Sequence, residues 1–215
     1  MCSMYCFVYS SLAPPRLKSC VVVGGGVIGV SVAFHLAEAG IQDVVLLERK
    51  ELTSGTTWHA AGLVGQLRTS INMTQLARYT SQLYRGLEEE TGQATGYRQC
   101  GSISIAATAE RFEELKRSAS MAKVFGLEVN VLSVAEIAEK YPLINTDDLF
   151  GGIHIPSDGY ANAVDITQAL AKGAKRRGAR IFTDTKVEAI LRDRDLSLIH
   201  ISEPTRLLSI AYAVF

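Results

Sequence analysis

The chain has no excess of charge of either sign: 22 Lys and Arg side chains stand against 22 Asp and Glu. A field able to gather nucleic acid or an anionic membrane surface needs such an excess, which argues against both partners. No run reaches the roughly 18 consecutive apolar residues that a membrane span requires. Cysteine is scarce, at four (Cys2, Cys6, Cys20 and Cys100), and no two of them form a CxxC pair. Histidine is equally scarce (His35, His59, His154 and His200). This poverty of ligands argues against a metal site or a disulfide framework and makes a reducing compartment the default. Internal repeats and low-complexity tracts are lacking too. What remains is an ordinary globular composition, 47 % hydrophobic and 20 % charged over 215 residues, enough chain to bury a core.

The two ends stand apart. Residues 1–19 hold no acid, carry two prolines (Pro14, Pro15) and place their positive charge late, at Arg16 and Lys18. A secretory signal has its charge ahead of the apolar run. An organellar presequence, a mis-assigned start and a disordered leader all stay open. Residues 196–206 (LSLIHISEPTR) resemble the translation of a transposase-derived sequencing adapter. Leu207, Leu208 and Ser209 stand where its index would be, and residues 210–215 continue it except at Ala211, where the adapter frame gives serine. Residues 196–215 are therefore expected to be foreign, and the natural protein longer.

Between these ends the chain alternates strand and helix. Residues 20–23 form a β-branched apolar run ahead of a glycine cluster, the pattern of a buried parallel strand. A helix is predicted over 26–39, with Gly40 as its stop, and a second buried strand over 43–47. Strand, helix, strand in that order imply a right-handed crossover. Residues 52–65, rich in glycine and threonine, read as a long functional loop. Helices are predicted over 74–91, 108–125 (Thr108 as N-cap), 133–141 (Ser133 and Glu136 as a capping box) and 163–178. Strands are predicted over 102–106, 180–182 and 186–191, with a further one around His154.

Gly24, Gly26 and Gly29 make a GxGxxG fingerprint between the first strand and the first helix. Gly24 permits the turn, Gly26 a close approach of backbone to pyrophosphate, and Gly29 close packing of helix on sheet. The helix N-terminus then offers N–H groups and its positive end to phosphate. Glu48, at the end of the second strand, can accept from ribose hydroxyls and would repel a 2′-phosphate. A dinucleotide other than NADP is expected; NAD and FAD are not separated by this unit alone.

The stretch 48–64, ERKELTSGTTWHAAGLV, resembles the flavin loop of the sarcosine/dimethylglycine dehydrogenase family, within the D-amino-acid-oxidase-like group. Similarity continues through LEEETG (87–92), GSISIA (101–106), YPLINTDDLFGG (141–152) and PSDG (156–159), and covers about residues 19–195. Its TWHAAG core is specific, whereas the glycine fingerprint is common to many unrelated enzymes. The resemblance implies that His59 bonds the 8α-methyl of the flavin. It places Val27 and Ile28 on the pyrophosphate side and Glu48 with Arg49 on the adenosine side. Gly55, Thr56, Thr57, Trp58, His59, Ala60, Ala61, Gly62 and Leu63 would line the flavin, and Val187 would meet the adenine end through its backbone. The residue types agree. Gly55 and Gly62 free the backbone, Thr56 and Thr57 offer hydroxyls, and Ala60 and Ala61 leave room for a planar ring. Trp58 reads equally as a shield for the ring or as a core aromatic.

The implied fold is α/β: a doubly wound, Rossmann-like FAD-binding domain interleaved with an antiparallel substrate domain, and truncated. Residues 20–100 would start the first domain, 101–162 the second, and 163–195 would return to the first. The implied reaction passes hydride from an N-methyl amine such as sarcosine or dimethylglycine to FAD, the loop wording leaning towards sarcosine. Its one-carbon product would be hydrolysed or passed to tetrahydrofolate, and its electrons to an electron-transfer flavoprotein. The compartment would be the mitochondrial matrix in a eukaryote and the cytoplasm in a bacterium, and the chain as it stands is not expected to turn over. Two alternatives stay open. One is a regulator like the pyruvate dehydrogenase phosphatase regulatory subunit, which lacks this histidine; the other is a glycine-oxidase-like enzyme with non-covalent flavin. His35, His154, the Asp158–Gly159 turn and the basic cluster Lys172, Lys175, Arg176, Arg177 and Arg180 are read as packing, turn chemistry and a solvated helix end.

Overall fold

Three successive valines ahead of three glycines set the first buried strand, because β-branched side chains suit a sheet covered on its faces. In the computed structural model, which describes residues 19–189 and the backbone of residues 5–9, the elements run in this order. They are β1 (Tyr5–Tyr9), β2 (Ser19–Val23), α1 (Val27–Glu38), β3 (Asp43–Leu47), a 3₁₀ turn (Thr57–His59) and β4 (Leu63–Val64). Then follow α2 (Ile71–Thr91), β5 (Arg98–Gln99), β6 (Ser102–Ala106), α3 (Ala109–Val124), β7 (Asn130–Leu132) and α4 (Val134–Lys140). The last are β8 (Gly151–Ile155), β9 (Gly159–Tyr160), α5 (Ala163–Arg176) and β10 (Arg180–Phe182). The adapter-like residues 196–215 lie outside the described residues.

The described residues divide into two units. The first takes those up to Ala61, Leu87–Thr95, and those from Asn162 on. Its sheet has the order β1-β2-β3-β10. β2, β3 and β10 are parallel, in the register Ser19↔Asp43 and Arg180↔Val45. β1 runs antiparallel along β2. Residues 5–9 belong to the leader whose status the sequence left open: YCFVY is rich in strand-forming residues and pairs along one edge of β2. α1 and α5 pack on each other, Phe34 against α5 so closely that a Cβ on Gly173 would lie 2.6 Å from its ring. Phe34, Val22, Leu46 and Leu170 are sealed from water, each worth about 1.5–3 kcal/mol of apolar burial.

The basic end of α5 is exposed at Lys175, Arg176 and Arg180, as expected, and its cations are also engaged. Lys172 and Arg176 donate to the carbonyls of Gly92 and Glu90. Arg177 pairs with the Glu90 carboxylate at 2.6 Å and stacks its guanidinium 4.5 Å from the Phe34 ring centroid. These cations satisfy carbonyls at the C-terminal end of α2, where the helix leaves its last acceptors unpaired.

The second unit takes Gly62–Gly86 and Gly96–Ala161. It holds two antiparallel sheets, β4-β9-β5 and β6-β8-β7. α3 lies on the second, its Leu115, Ala119 and Ala122 in one cluster with Ile153, Ile155, Leu127 and Val129. Thr108 caps α3 through Arg111 N–H at 3.2 Å, and Ser133 with Glu136 forms the expected box on α4.

The α/β class and its interleaved antiparallel unit match the expectation, but the boundary at 100/101 does not. The second unit starts at Gly62 and Leu87–Thr95 returns to the first, because β4 and β5 both pair with β9 from a distant part of the chain. α2 begins at Ile71, with Ser70 Oγ accepting from Met73 N–H at 3.4 Å, earlier than its apolar spacing indicated. Residues 186–189 form no strand: among the described residues no neighbour offers them a ladder.

Candidate functional site

Gly24 turns the chain off β2 at φ +114°, a conformation open to glycine and closed to most other residues. Its N–H donates to Leu47 O at 2.8 Å, which holds the turn to the end of β3. A Cβ on Gly29 would fall 2.0 Å from Gly24 O, so the helix can meet the turn only without one. Gly26 is the N-cap of α1 and has no side chain over the helix end. That end is open on the side of Ile28, which is 49 % exposed in the first turn of the helix.

Glu48 closes the other side of the turn. Buried at 9 % exposure, its Oε2 accepts from Gly25 N–H at 2.5 Å and its Oε1 from Lys50 N–H at 2.9 Å. The carboxylate therefore holds the glycine loop as well as facing the expected ribose side. Gly25 was not singled out in the sequence. A Cβ there would meet Leu52 Cδ2 at 2.6 Å and Glu48 Cβ at 2.8 Å, and the run of three glycines was its only sign. The segment carrying Val187, half-buried, is tied in by Thr185 N–H to Glu48 O at 2.8 Å. Arg49 is exposed beside it.

The loop after Glu48 is less irregular than its composition indicated. Thr53 adopts φ +68° and donates its N–H to Gly25 O at 3.0 Å. A 3₁₀ turn follows, His59 N–H donating to Thr56 O and Ala60 N–H to Thr57 O, each at 3.1 Å. The turn lies against α5. Thr57 is buried, and its Oγ1 accepts from Val27 N–H at 3.0 Å. Its hydroxyl is thus engaged at the first turn of α1, whereas the sequence reading offered it to phosphate or ring atoms. Thr56, Ala60 and Ala61 are exposed, and a Cβ on Gly55 would meet open space. Trp58 is no core aromatic: it is 59 % exposed, with its ring centroid 3.7 Å from that of His59.

Gly62 and Leu63 fall in the second unit. Gly62, at φ +75°, is required by Ala161 rather than by a ligand, since a Cβ would lie 2.1 Å from Ala161 O. Leu63 pairs with Tyr160 and is 81 % exposed.

The first unit fits a dinucleotide on structural grounds. The cradle at Gly25 and Gly29 has no space for a side chain, the helix end beside Ile28 is open, and the threonine- and alanine-rich loop exposes one face. Open N–H groups at a helix N-terminus are suited to a diphosphate.

The second unit has a cavity of about 270 Å³ lined among others by Arg68, Ser102, Leu115, Ile153 and Asp158. Asp158 is buried, accepting from Gln66 N–H at 2.8 Å and from Ser102 Oγ at 2.6 Å. Burial raises its pKa against the pull of those two bonds. His154, facing Gly101, is held below the ordinary imidazole range, first by desolvation and then by Lys140.

Comparison with known proteins bears on most of the chain. The family model described as "FAD dependent oxidoreductase" matches residues 19–206. Human sarcosine dehydrogenase, mitochondrial, is 44 % identical over 177 residues, 82 % of this chain and 19 % of its own length. Rat dimethylglycine dehydrogenase, mitochondrial, is 43 % identical over 77 % of this chain and 20 % of its own. The mouse pyruvate dehydrogenase phosphatase regulatory subunit, mitochondrial, is 40 % identical over 84 % of this chain and 21 % of its own. The chain thus spans about a fifth of the length of these relatives. Among solved structures, glycine oxidase from Bacillus cereus superposes with a TM-score of 0.68 at 31 % identity, over 81 % of this chain and 49 % of that one.

Proposed function

The chain belongs to the FAD dependent oxidoreductase family, and on that premise we propose that it is part of an amine dehydrogenase of the sarcosine/dimethylglycine type. Its substrate on this reading is a secondary or tertiary N-methyl amine. Bound FAD supplies the two-electron acceptor for the hydride that the N-methyl carbon gives up.

The chain's own residues bind and orient. The N–H groups at the start of α1 beyond Val27, whose own N–H is held by Thr57 Oγ1, would hold the diphosphate. Glu48 accepts from ribose hydroxyls with the lone pairs that Gly25 and Lys50 leave free. Val187 meets the adenine end through its backbone. His59 would hold the flavin through an imidazole nitrogen at its 8α carbon, a linkage whose formation releases two electrons and two protons to dioxygen or the enzyme's own acceptor. The observation that carries the reading is the position of His59. It is exposed on a 3₁₀ turn within the same unit as the glycine turn, on the loop that leaves Glu48. An exposed loop histidine is ordinary in itself; its place in the TWHAAG stretch, beside the glycine turn, is what supports the reading.

The electrons would leave to an electron-transfer flavoprotein, the one-carbon unit to water or tetrahydrofolate, and the setting would be mitochondrial, as the relatives' names are. The test is acid precipitation of the purified full-length protein. A yellow pellet is expected, and His59→Ala should move the colour to the supernatant. A wild-type pellet without flavin would sink the linkage, and a colourless native protein would sink the enzyme. Amine-dependent reduction of an artificial dye separates the enzyme from a regulator.

A further inference from the structure

The single exposed imidazole on the loop has no anchor of its own beyond the ring of its neighbour Trp58. Its place is therefore inherited from the backbone of the turn. Among the described residues the turn is tied to the glycine turn's helix by a part-buried bond of the Thr57 side chain, whose Oγ1 accepts from Val27 N–H at 3.0 Å across 30 residues of sequence. We propose that Thr57 is a positioning residue, whose hydroxyl fixes the histidine turn to the phosphate-binding end of α1 so that His59 meets the flavin ring. The proposal rests on the flavin reading above and deepens it.

Three observations converge. Thr57 is 8 % exposed while Thr56, Trp58 and His59 on either side are open, so it is the one side chain of the turn that faces inward. A 3₁₀ turn has three residues per turn, so fixing Thr57 fixes the direction in which His59, two residues on, leaves the backbone. The bond also ends on Val27, the first residue of α1, beside the N–H groups that would hold the diphosphate. The two ends of the cofactor's isoalloxazine half, phosphate and ring, are thereby referred to one point. Thr53 N–H to Gly25 O supports the same alignment from four residues upstream. Were the hydroxyl only a cap, α1 would be loosened by its loss and the histidine left unaffected.

Two variants of the full-length protein separate these roles. Thr57→Val keeps the shape and removes the acceptor; Thr57→Ser keeps the acceptor and removes the methyl group. The readout is the rate at which added FAD becomes acid-stable on flavin-free protein, followed by fluorescence of the denatured band, with thermal melting in parallel. Thr57→Val is expected to slow linkage by roughly tenfold or more, since small misplacements of a reacting group have effects of that size. Thr57→Ser should stay within about twofold of wild type. Linkage at the wild-type rate in Thr57→Val, whatever its melting temperature, overturns the proposal and leaves the flavin reading intact. If Thr57→Val yields no folded protein, Thr57→Ser decides, and slow linkage there overturns it. Wild-type protein that never acquires acid-stable flavin overturns the linkage reading and this proposal together.

Discussion

Glu48 and Gly25, 23 residues apart, meet in a buried bond of 2.5 Å from the glycine N–H to the carboxylate Oε2. A residue expected to read the ribose thus also shapes the loop expected to hold the phosphates. Glu48→Ala should leave the Gly25 and Lys50 N–H groups without their acceptor and cost about 1–3 kcal/mol. Glu48→Gln retains one acceptor oxygen and should cost less. Urea denaturation of flavin-free protein measures both. Equal stability of Glu48→Ala and wild type would remove Glu48 from the loop's support.

Two glycines should respond in opposite ways. Gly29→Ala puts a methyl group 2.0 Å from Gly24 O, a clash with backbone that no rotamer relieves, and is expected to abolish soluble protein. Gly55→Ala meets nothing within 4 Å and should melt close to wild type. If Gly55→Ala nonetheless weakens FAD binding in a titration, the open space above it is where the cofactor passes. Unchanged binding would move the flavin away from that residue.

In the second unit Asp158 ties Gln66 to Ser102. Asp158→Ala should destabilise by about 1–3 kcal/mol, because Gln66 N–H is left buried and unpaired. Asp158→Asn should be milder: its oxygen can still accept from Gln66, and the Ser102 hydroxyl can turn to accept from its amide. Chemical denaturation curves for the pair check the order, and a reversed order refutes the hub.

His154 predicts a pH dependence. Its pKa in the fold lies below the ordinary 6.5, so the fold disfavours the imidazolium. Stability is then fully present above the ordinary imidazole range and is lost as pH falls from there through the lowered value. Wild type should lose melting temperature faster than His154→Gln as pH drops across that window. Parallel curves for the two proteins would show that another group governs the decline.

Local chemistry made much of the fold legible. The valine run, the strand over 43–47, the strand over 102–106 and the caps at Thr108 and Ser133 are each specified by residues within a few positions of one another. The glycine turn and the TWHAAG loop were legible for the same reason, as the residue types there have few other uses. What required the tertiary structure were the pairings made across distance. β4 and β5 are two residues each and exist only because β9 pairs with both, so no propensity in LV or RQ could announce them or the unit boundary they move. Thr57 could not be told from Thr56 by type. Only folding decided that one hydroxyl faces the Val27 N–H while its neighbour stays in water, and that Gly62 answers to Ala161. Sequence determines a residue's chemistry and its local periodicity; which buried partner satisfies each polar group is settled when distant segments are brought together.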